Sequence, residues 1–328
     1  MMWRGVVTTA VCLLAAALGT TLAQAPNQIN EAAGFQRFDS IRPAPDLAVQ
    51  GPRDAGRAQA ARPMPVRRLD PAKVMGSFKK SPLEVAPPRG QTEAFIAANP
   101  DGHSNVKEFS GNIRAVPLAF AGKFVFTTPN GDAVCSAQLI APRLLLTAAH
   151  CVQDEETGQW FTNFEFFLQY HSGQYSQAFG VSCVGVWTGW HDNRSPDNNP
   201  FDYAISLVDR QAPGWFGTAW NWAGSFNAAT KIGYPGGIAN GEVIQVDNGR
   251  ILLEYAGVAT LQHGDRAPQE GTSGGGWVAN YSPAVRNDTN YILSVSSFVY
   301  ADKPGVIYGP YFTDDFHKLS EYAARGCR

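Results

Sequence analysis

The sequence predicts an all-β fold, either a sandwich or a pair of barrels, over residues 91–328. Three observations carry this. Strand-length runs recur along the segment, Gly and Pro recur between them, and no long amphipathic helix interrupts the series. Its 238 residues suit one compact unit built from two similar halves.

The chain opens with Met1-Met2-Trp3-Arg4 and then "GVVTTAVCLLAAALGTTLA". A basic start, an apolar core and small terminal residues predict a secretory signal peptide over 1–23. Cleavage after Ala23 is favoured over Ala25, because Pro26 would follow the second cut. The alternative is an uncleaved anchor, but the apolar run is short of the roughly 20 residues a span needs. Cys12 lies inside that run and is a poor lipidation site. The expected location is secreted, extracellular or periplasmic, with no membrane association after signal removal.

Residues 24–107 are expected to form a pro-segment, largely disordered. Residues 26–90 are rich in Pro, Ala, Gln and Arg and show no helical or strand period. Such a composition buries too little apolar surface to offset its ordering entropy. The same stretch carries 11 Lys/Arg and 6 Asp/Glu, whereas residues 91–328 carry 14 and 22. The opposite charges favour association of the segment with the domain that follows. An inert linker or envelope tether is the alternative, and a nucleic-acid tail fits poorly with export.

In the folded part, "GKFVFTT" and "AVCSAQLIA" flank Pro129-Asn130-Gly131-Asp132, a hairpin signal. "FEFFLQY", "YAISLV", "VIQVD", "RILLEYAGVATL", "GWVANY" and "YILSVSSFVY" follow as strand candidates. Only the end reads as helix. Thr313 is placed to cap it, Asp314 and Asp315 suit its positive end, Phe316, Leu319 and Tyr322 recur every three residues, and Gly326 stops it. Cys135, Cys151, Cys183 and Cys327 remain after signal removal. An even count in an exported chain suggests two disulfides, with three pairings open.

Three stretches carry candidate chemistry: His150 in "LLLTAAHCV", Asp202 in "NPFDYAISLV" and Ser273 in "EGTSGGGW". A serine hydroxyl is a weak nucleophile. It needs a base within reach, and the base needs a third group to fix its tautomer. A tetrahedral oxyanion needs two converging backbone N–H groups, here those of Gly271 and Ser273.

"TAAHC", "DYAI" and "GTSGGG", in this order, resemble the trypsin/chymotrypsin-like serine peptidases, most closely the secreted glutamyl-endopeptidase-like branch. "KIGYPGG" at 231–237 and the helical tail add to the likeness, which covers roughly 110–328. The resemblance implies two six-stranded antiparallel β-barrels with a C-terminal helix and the site in the cleft between them. The first barrel would run from about 110 to 215 and the second, with the helix, from 216 to 328. It implies a peptidase domain over 108–328 and a secreted serine endopeptidase made as a zymogen. His150 would be general base and acid, Asp202 the orienter and Ser273 the acylated nucleophile. It also implies a Cys135–Cys151 disulfide, leaving Cys183–Cys327.

Trypsin-type members carry aspartate before the nucleophile, where a new N-terminus pairs with it; here that residue is Thr272. An uncharged residue cannot partner a buried ammonium, so the turn must be held in another way, for instance by the Thr272 hydroxyl. The family's pocket base falls on Ala267, beside Pro268, so an acidic base is missing. The histidine position of glutamate-specific members falls on Val295. Ser296 would then offer backbone to substrate and Phe298 would narrow the pocket. Asp265 and Glu270 leave some acidic character nearby.

No cofactor and no metal is expected: "HDNRSPDNNPFD" lacks the glycine and final glutamate of an EF-hand loop. His171, His191, His263 and His317 lack ligand spacing and are expected to be structural or surface residues. Asn193, Asn280 and Asn287 lie in glycosylation sequons. Expected partners are protein or peptide substrates and the chain's own pro-segment, with no nucleic acid, for a monomer. The reading from another class is an exported, inactive protease-like binding module.

Overall fold

The computed structural model describes residues 41–43, 54–69, 109–191, 198–255, 257–264, 269–284, 286 and 289–328. The expected signal peptide, the pocket residues Ala267, Pro268 and Asp265, and the sequons' Asn193 and Asn287 lie outside these residues.

The expected lack of structure ahead of the domain does not hold throughout. Strand β1 (Ile41–Pro43), helix α1 (Ala55–Ala60) and the short strands β2 (Arg62–Pro63) and β3 (Arg67–Leu69) all precede residue 107. Asp54 caps α1, its Oδ1 accepting from the Gly56 N–H at 2.8 Å. Ala58, Ala61 and Val66 are buried. Its composition is no guide to its order here, because this strap needs no core of its own. It borrows one by lying on the domain.

The first half comprises β4 (Ala121–Thr128), β5 (Gly131–Ala141), β6 (Leu144–Thr147), β7 (Thr162–Leu168), β8 (Gln177–Trp187) and β9 (Ala204–Val208). Antiparallel pairing runs β4-β5-β6-β9-β8-β7 and back to β4, a closed six-stranded barrel. The predicted hairpin joins β4 to β5, with Thr128 opposite Gly131 and Gly131 at φ +107°. Phe124, Phe126, Phe161, Phe164, Phe166 and Phe179 fill the interior. Phe124–Phe164 and Phe126–Phe161 stack at 5.6 and 5.3 Å. Strand β1 extends this sheet along β8, and β2 along β5.

After β10 (Gly217–Thr218), the second half contains β11 (Ala228–Gly233), β12 (Gln245–Tyr255), β13 (Val258–Gln262), β14 (Gly276–Ala279), β15 (Tyr291–Val295), β16 (Phe298–Tyr300) and β17 (Val306–Pro310). The order β15-β14-β11-β12-β13-β17 gives six strands. Bonds across the β15–β17 side come from the Ser294 hydroxyl to the Pro310 carbonyl (2.8 Å) and the Ser297 N–H to the Tyr308 carbonyl (2.9 Å). Trp222, Ile251, Leu261, Trp277, Leu293 and Ile307 form its core.

The chain ends in α2 (Asp314–Ala324), capped by Thr313 and stopped at Gly326, φ +80°. It buries Phe316 and Leu319 against the first barrel, where Phe316 lies 5.9 Å from Tyr203. Both disulfides form as the resemblance implies, Cys135–Cys151 and Cys183–Cys327. Loop-closure entropy gives about 3 kcal/mol for the 16-residue separation and about 5 for the 144-residue one. No helix among the described residues is long and apolar enough to cross a membrane.

Candidate active site

His150 sits in a single helical turn (Ala149–Cys151) after β6, and Asp202 ends another (Asn199–Phe201) before β9. Pairing of β6 with β9 brings these two strand ends together. The carboxylate grips the histidine twice. Asp202 Oδ1 accepts the His150 backbone N–H at 2.9 Å, and Oδ2 meets Nδ1 at 2.8 Å. This fixes the ring and leaves Nε2 as the proton-accepting nitrogen. Asp202 is fully buried. Burial alone would raise its pKa, but His150, Arg67 and the Ser297 hydroxyl hold it well below the usual carboxylate range.

Ser273 lies in the glycine turn ahead of β14. Gly271 and Gly274 have φ +84° and +78°, the left-handed region. A Cβ at 274 would sit 2.1 Å from Thr147 Oγ1, so the turn can pack against the first barrel only with glycine there. His150 Nε2 and Ser273 Oγ are both buried without a hydrogen-bond partner, so the hydroxyl–imidazole bond is not made in this strap-covered state. Such bonds are often long until substrate binds.

Each peptide of the turn is pinned. The Glu270 carbonyl accepts from the Gly236 N–H (2.6 Å), and in a planar trans peptide this aims the Gly271 N–H the opposite way, into the cleft. The Thr272 carbonyl accepts from the Gly275 N–H (2.9 Å), and the Thr272 N–H donates to the Gln269 carbonyl (3.0 Å). The Thr272 hydroxyl itself has no partner, so the sequence-based suggestion that it braces the turn is corrected.

Sequence reasoning missed Ser136, which does brace it. Its hydroxyl donates to the Gly271 carbonyl (2.8 Å) and accepts from the Tyr234 N–H (2.9 Å), while its backbone N–H donates to the Ser273 carbonyl (2.8 Å). Gln138, two residues on and so on the same face of β5, donates to the Gly274 carbonyl at 3.1 Å. Two polar residues at period two inside the apolar run "AVCSAQLIA" were the available signal. Cys135, next to Ser136, is bonded to Cys151, next to His150, so the serine turn and the histidine are braced from one strand.

The two serines after β15 have different partners. Ser297, not Ser296, donates a short hydrogen bond to Asp202 Oδ2. Ser296 instead turns its Oγ toward the Trp277 indole N–H, accepting from it at 3.1 Å. Val295 is a core residue opposite Gly276 in the sheet, and Phe298 follows the aspartate-bonded serine directly. In the doublet "SS" only geometry shows which hydroxyl reaches the aspartate.

The strap crosses this site. Strand β2 runs parallel to β5 at Ala133–Val134, and the Met64 N–H donates to the Val134 carbonyl (2.8 Å). The Met64 carbonyl then accepts from the Gly271 N–H at 2.9 Å. Strand β3 continues parallel to β16, Arg67 opposite Phe298. Arg67 Nη1 reaches Asp202 Oδ2 at 3.4 Å and Asn199 Oδ1 at 2.9 Å, Nη2 reaches Asn198 Oδ1 at 3.1 Å, and Nε makes a short bond to Glu155. The guanidinium lies 4.9 Å from the Trp190 ring centroid. Arg68 adds a salt bridge to Glu270 at 3.2 Å. Both arginines thus pair with carboxylates of the residues they lie on. Beneath the strap, Ser273 and His150 are 0% and 4% exposed.

The one His/Cys/Asp/Glu group with ligand-like spacing among the described residues is Cys135, His150 and Cys151. Both sulfurs are in the disulfide, so neither is a thiolate donor. His263 is buried, Nδ1 to Asp247 Oδ2 at 2.7 Å, and His317 stacks on Trp220 at 5.1 Å. His171 is exposed.

Solved structures match this architecture. The thermostable serine protease AL20 from an extremophilic microorganism aligns with TM-score 0.54 and 24% identity, covering 63% of this chain and 97% of that one. Its fold is that of the chymotrypsin-like serine proteases. A Glu endopeptidase solved with MPD gives the same TM-score at 19% identity, over 67% of this chain and 96% of that one. No protein-family model and no curated protein matches the chain. In this chymotrypsin-like frame the histidine and aspartate come from the first barrel and the serine from the second.

Proposed function

We propose that this chain is a secreted serine endopeptidase made as a latent precursor. His150 takes the Ser273 proton, Ser273 Oγ attacks a peptide carbonyl, and the Gly271 and Ser273 N–H groups stabilise the oxyanion. His150 then passes the proton to the leaving amine, and water reverses the steps on the acyl-enzyme. The substrates are proteins or peptides, no cofactor takes part, and the enzyme works as a monomer. The observation that carries this reading is the Gly271 N–H, aimed into the cleft and donating to a peptide carbonyl, that of Met64. The bond following that carbonyl is Met64–Pro65. Its nitrogen is enclosed in the pyrrolidine ring, which hinders protonation by a general acid and suits a resident blocker better than a substrate.

Because neutral bonds pin the oxyanion turn, activation requires removal of the strap and not a particular new N-terminus. Forms beginning at several residues between about 100 and 112, one with an extra N-terminal residue, are expected to hydrolyse a protein substrate at comparable rates. Hydrolysis by none of them would sink the peptidase reading. A requirement for one free terminus, lost on acetylation, would sink the preformed hole.

Ser136→Ala removes a buried bond to the oxyanion turn without touching the triad. The turnover number is expected to fall roughly ten- to a hundredfold with KM little changed, since one such bond is worth about 1–3 kcal/mol when its partner is left buried. Steady-state kinetics check this, and a rise in KM at constant kcat would contradict the positioning role.

A further inference from the structure

Among the described residues, the strap's arginine contacts with the barrels fall at two places, and only the second touches the catalytic residues. The first is Arg57 of α1, next to the buried Ala58. All five of its N–H donors find acceptors. Nε and Nη2 take the two oxygens of Asp132 at 2.8 and 3.0 Å, a bidentate grip. Nη1 reaches Glu165 Oε2 at 2.9 Å and the Asn163 carbonyl at 2.7 Å, and Nη2 also reaches Thr127 Oγ1 at 2.9 Å. The site is built, not incidental. Thr127 donates in turn to Asp132 Oδ1 at 2.6 Å, and Asn163 adopts φ +54° while its side-chain amide donates to Thr127. Glu165 lies in β7 with its side chain only 8% exposed. Two carboxylates that share one guanidinium are poorly matched to an empty state; a planar cation with a fork of donors neutralises both.

We infer that the first barrel carries a guanidinium-recognition site, formed by Asp132, Glu165, Thr127 and the Asn163 carbonyl, and that Arg57 filling it keeps the strap seated across the cleft. The inference rests on the latent-peptidase reading for its consequence, but not for the site itself. The ligand class is an arginine side chain within a peptide. A lysine presents one point charge and three donors, so it cannot span both carboxylates and the threonine at once. Once the strap leaves, the same pocket is open to an arginine of another peptide, the free strap included.

The test compares the full-length chain with Arg57→Ala, Arg57→Lys, Asp132→Asn and, as a control, Arg62→Ala, whose side chain is exposed. Hydrogen exchange of backbone amides over 57–68 reads strap seating whether or not the protein is an enzyme. Phosphonylation of Ser273 reads access to the cleft. Arg57→Ala and Asp132→Asn are expected to speed strap exchange and labelling by about tenfold or more, from the loss of charge-assisted bonds. Arg57→Lys should restore only part of the protection, and Arg62→Ala should match wild type. Strap exchange unchanged in both Arg57→Ala and Asp132→Asn would overturn the anchor. Lysine protecting as well as arginine would overturn the guanidinium selectivity. Faster exchange, with Ser273 unlabelled in every form even after proteolytic removal of the strap, would uphold the site and refute the peptidase reading alone.

Discussion

Ser273→Ala is expected to leave a folded protein whose peptidase activity, once the strap is removed, falls by roughly 10⁴- to 10⁶-fold. The size follows from the chemistry. Without Oγ there is no acyl-enzyme, so the substrate must be attacked by water, and only the oxyanion N–H groups and substrate binding still act. Those N–H groups belong to backbone pinned through Glu270, Thr272 and Ser136, none of which depends on the Ser273 hydroxyl. The hydroxyl makes no hydrogen bond in the resting state, so its removal breaks none. Substrate KM should therefore change little while kcat collapses. Hydrolysis of a protein substrate by the purified variant checks this, and near-wild-type turnover would remove Ser273 from the mechanism.

Asp202→Asn should cost about 10⁴-fold in kcat with the fold retained. The carboxylate accepts from four donors: the His150 backbone N–H on Oδ1, and on Oδ2 the His150 ring, the Ser297 hydroxyl and, under the strap, Arg67. An amide has one oxygen and must turn its NH₂ toward some of them. Facing the ring, it forces the imidazole proton onto Nε2, which then cannot take the Ser273 proton. Facing the backbone, it opposes the His150 N–H and displaces the ring. The same substitution alters acid stability. Asp202 has a lowered pKa in the folded protein. Its stabilisation is therefore fully present above the unfolded value, about 3.9, and is lost as pH falls through the folded one. Acid denaturation below about pH 4 should be less steep in Asp202→Asn. An equally steep acid limb in the two proteins would contradict the buried, ion-paired carboxylate.

The parts of this architecture that are local in sequence could be read from it. Thr313, the spacing of Phe316 and Leu319, and Gly326 specify α2 because caps and period act within a few residues. The order of His150, Asp202 and Ser273, each beside a strand, was legible because each motif keeps its own local form. Ser297 was not, since two adjacent serines differ only in which one the strand turns toward Asp202. Ser136 was hidden because its partners are 98 and 135 positions away in sequence. The strap was misjudged for the same reason. Ala58, Ala61 and Val66 are too few to make a core, and what orders them is the surface of another part of the chain together with Arg57 and Arg67. Composition reports whether a segment can fold alone, not whether it can be folded by its neighbour.

The most direct measurement is active-site phosphonylation of the full-length chain and of the same chain after proteolytic removal of the segment ahead of about residue 108, with the modified residue located by mass spectrometry. Slow labelling of the intact chain is expected, where Ser273 lies beneath the strap at 0% exposure. Labelling should become fast and stoichiometric at Ser273 once the strap is gone, with peptidase activity appearing in step. A folded, strap-free protein that is not labelled at Ser273, or an intact chain labelled as fast as the processed one, would contradict it.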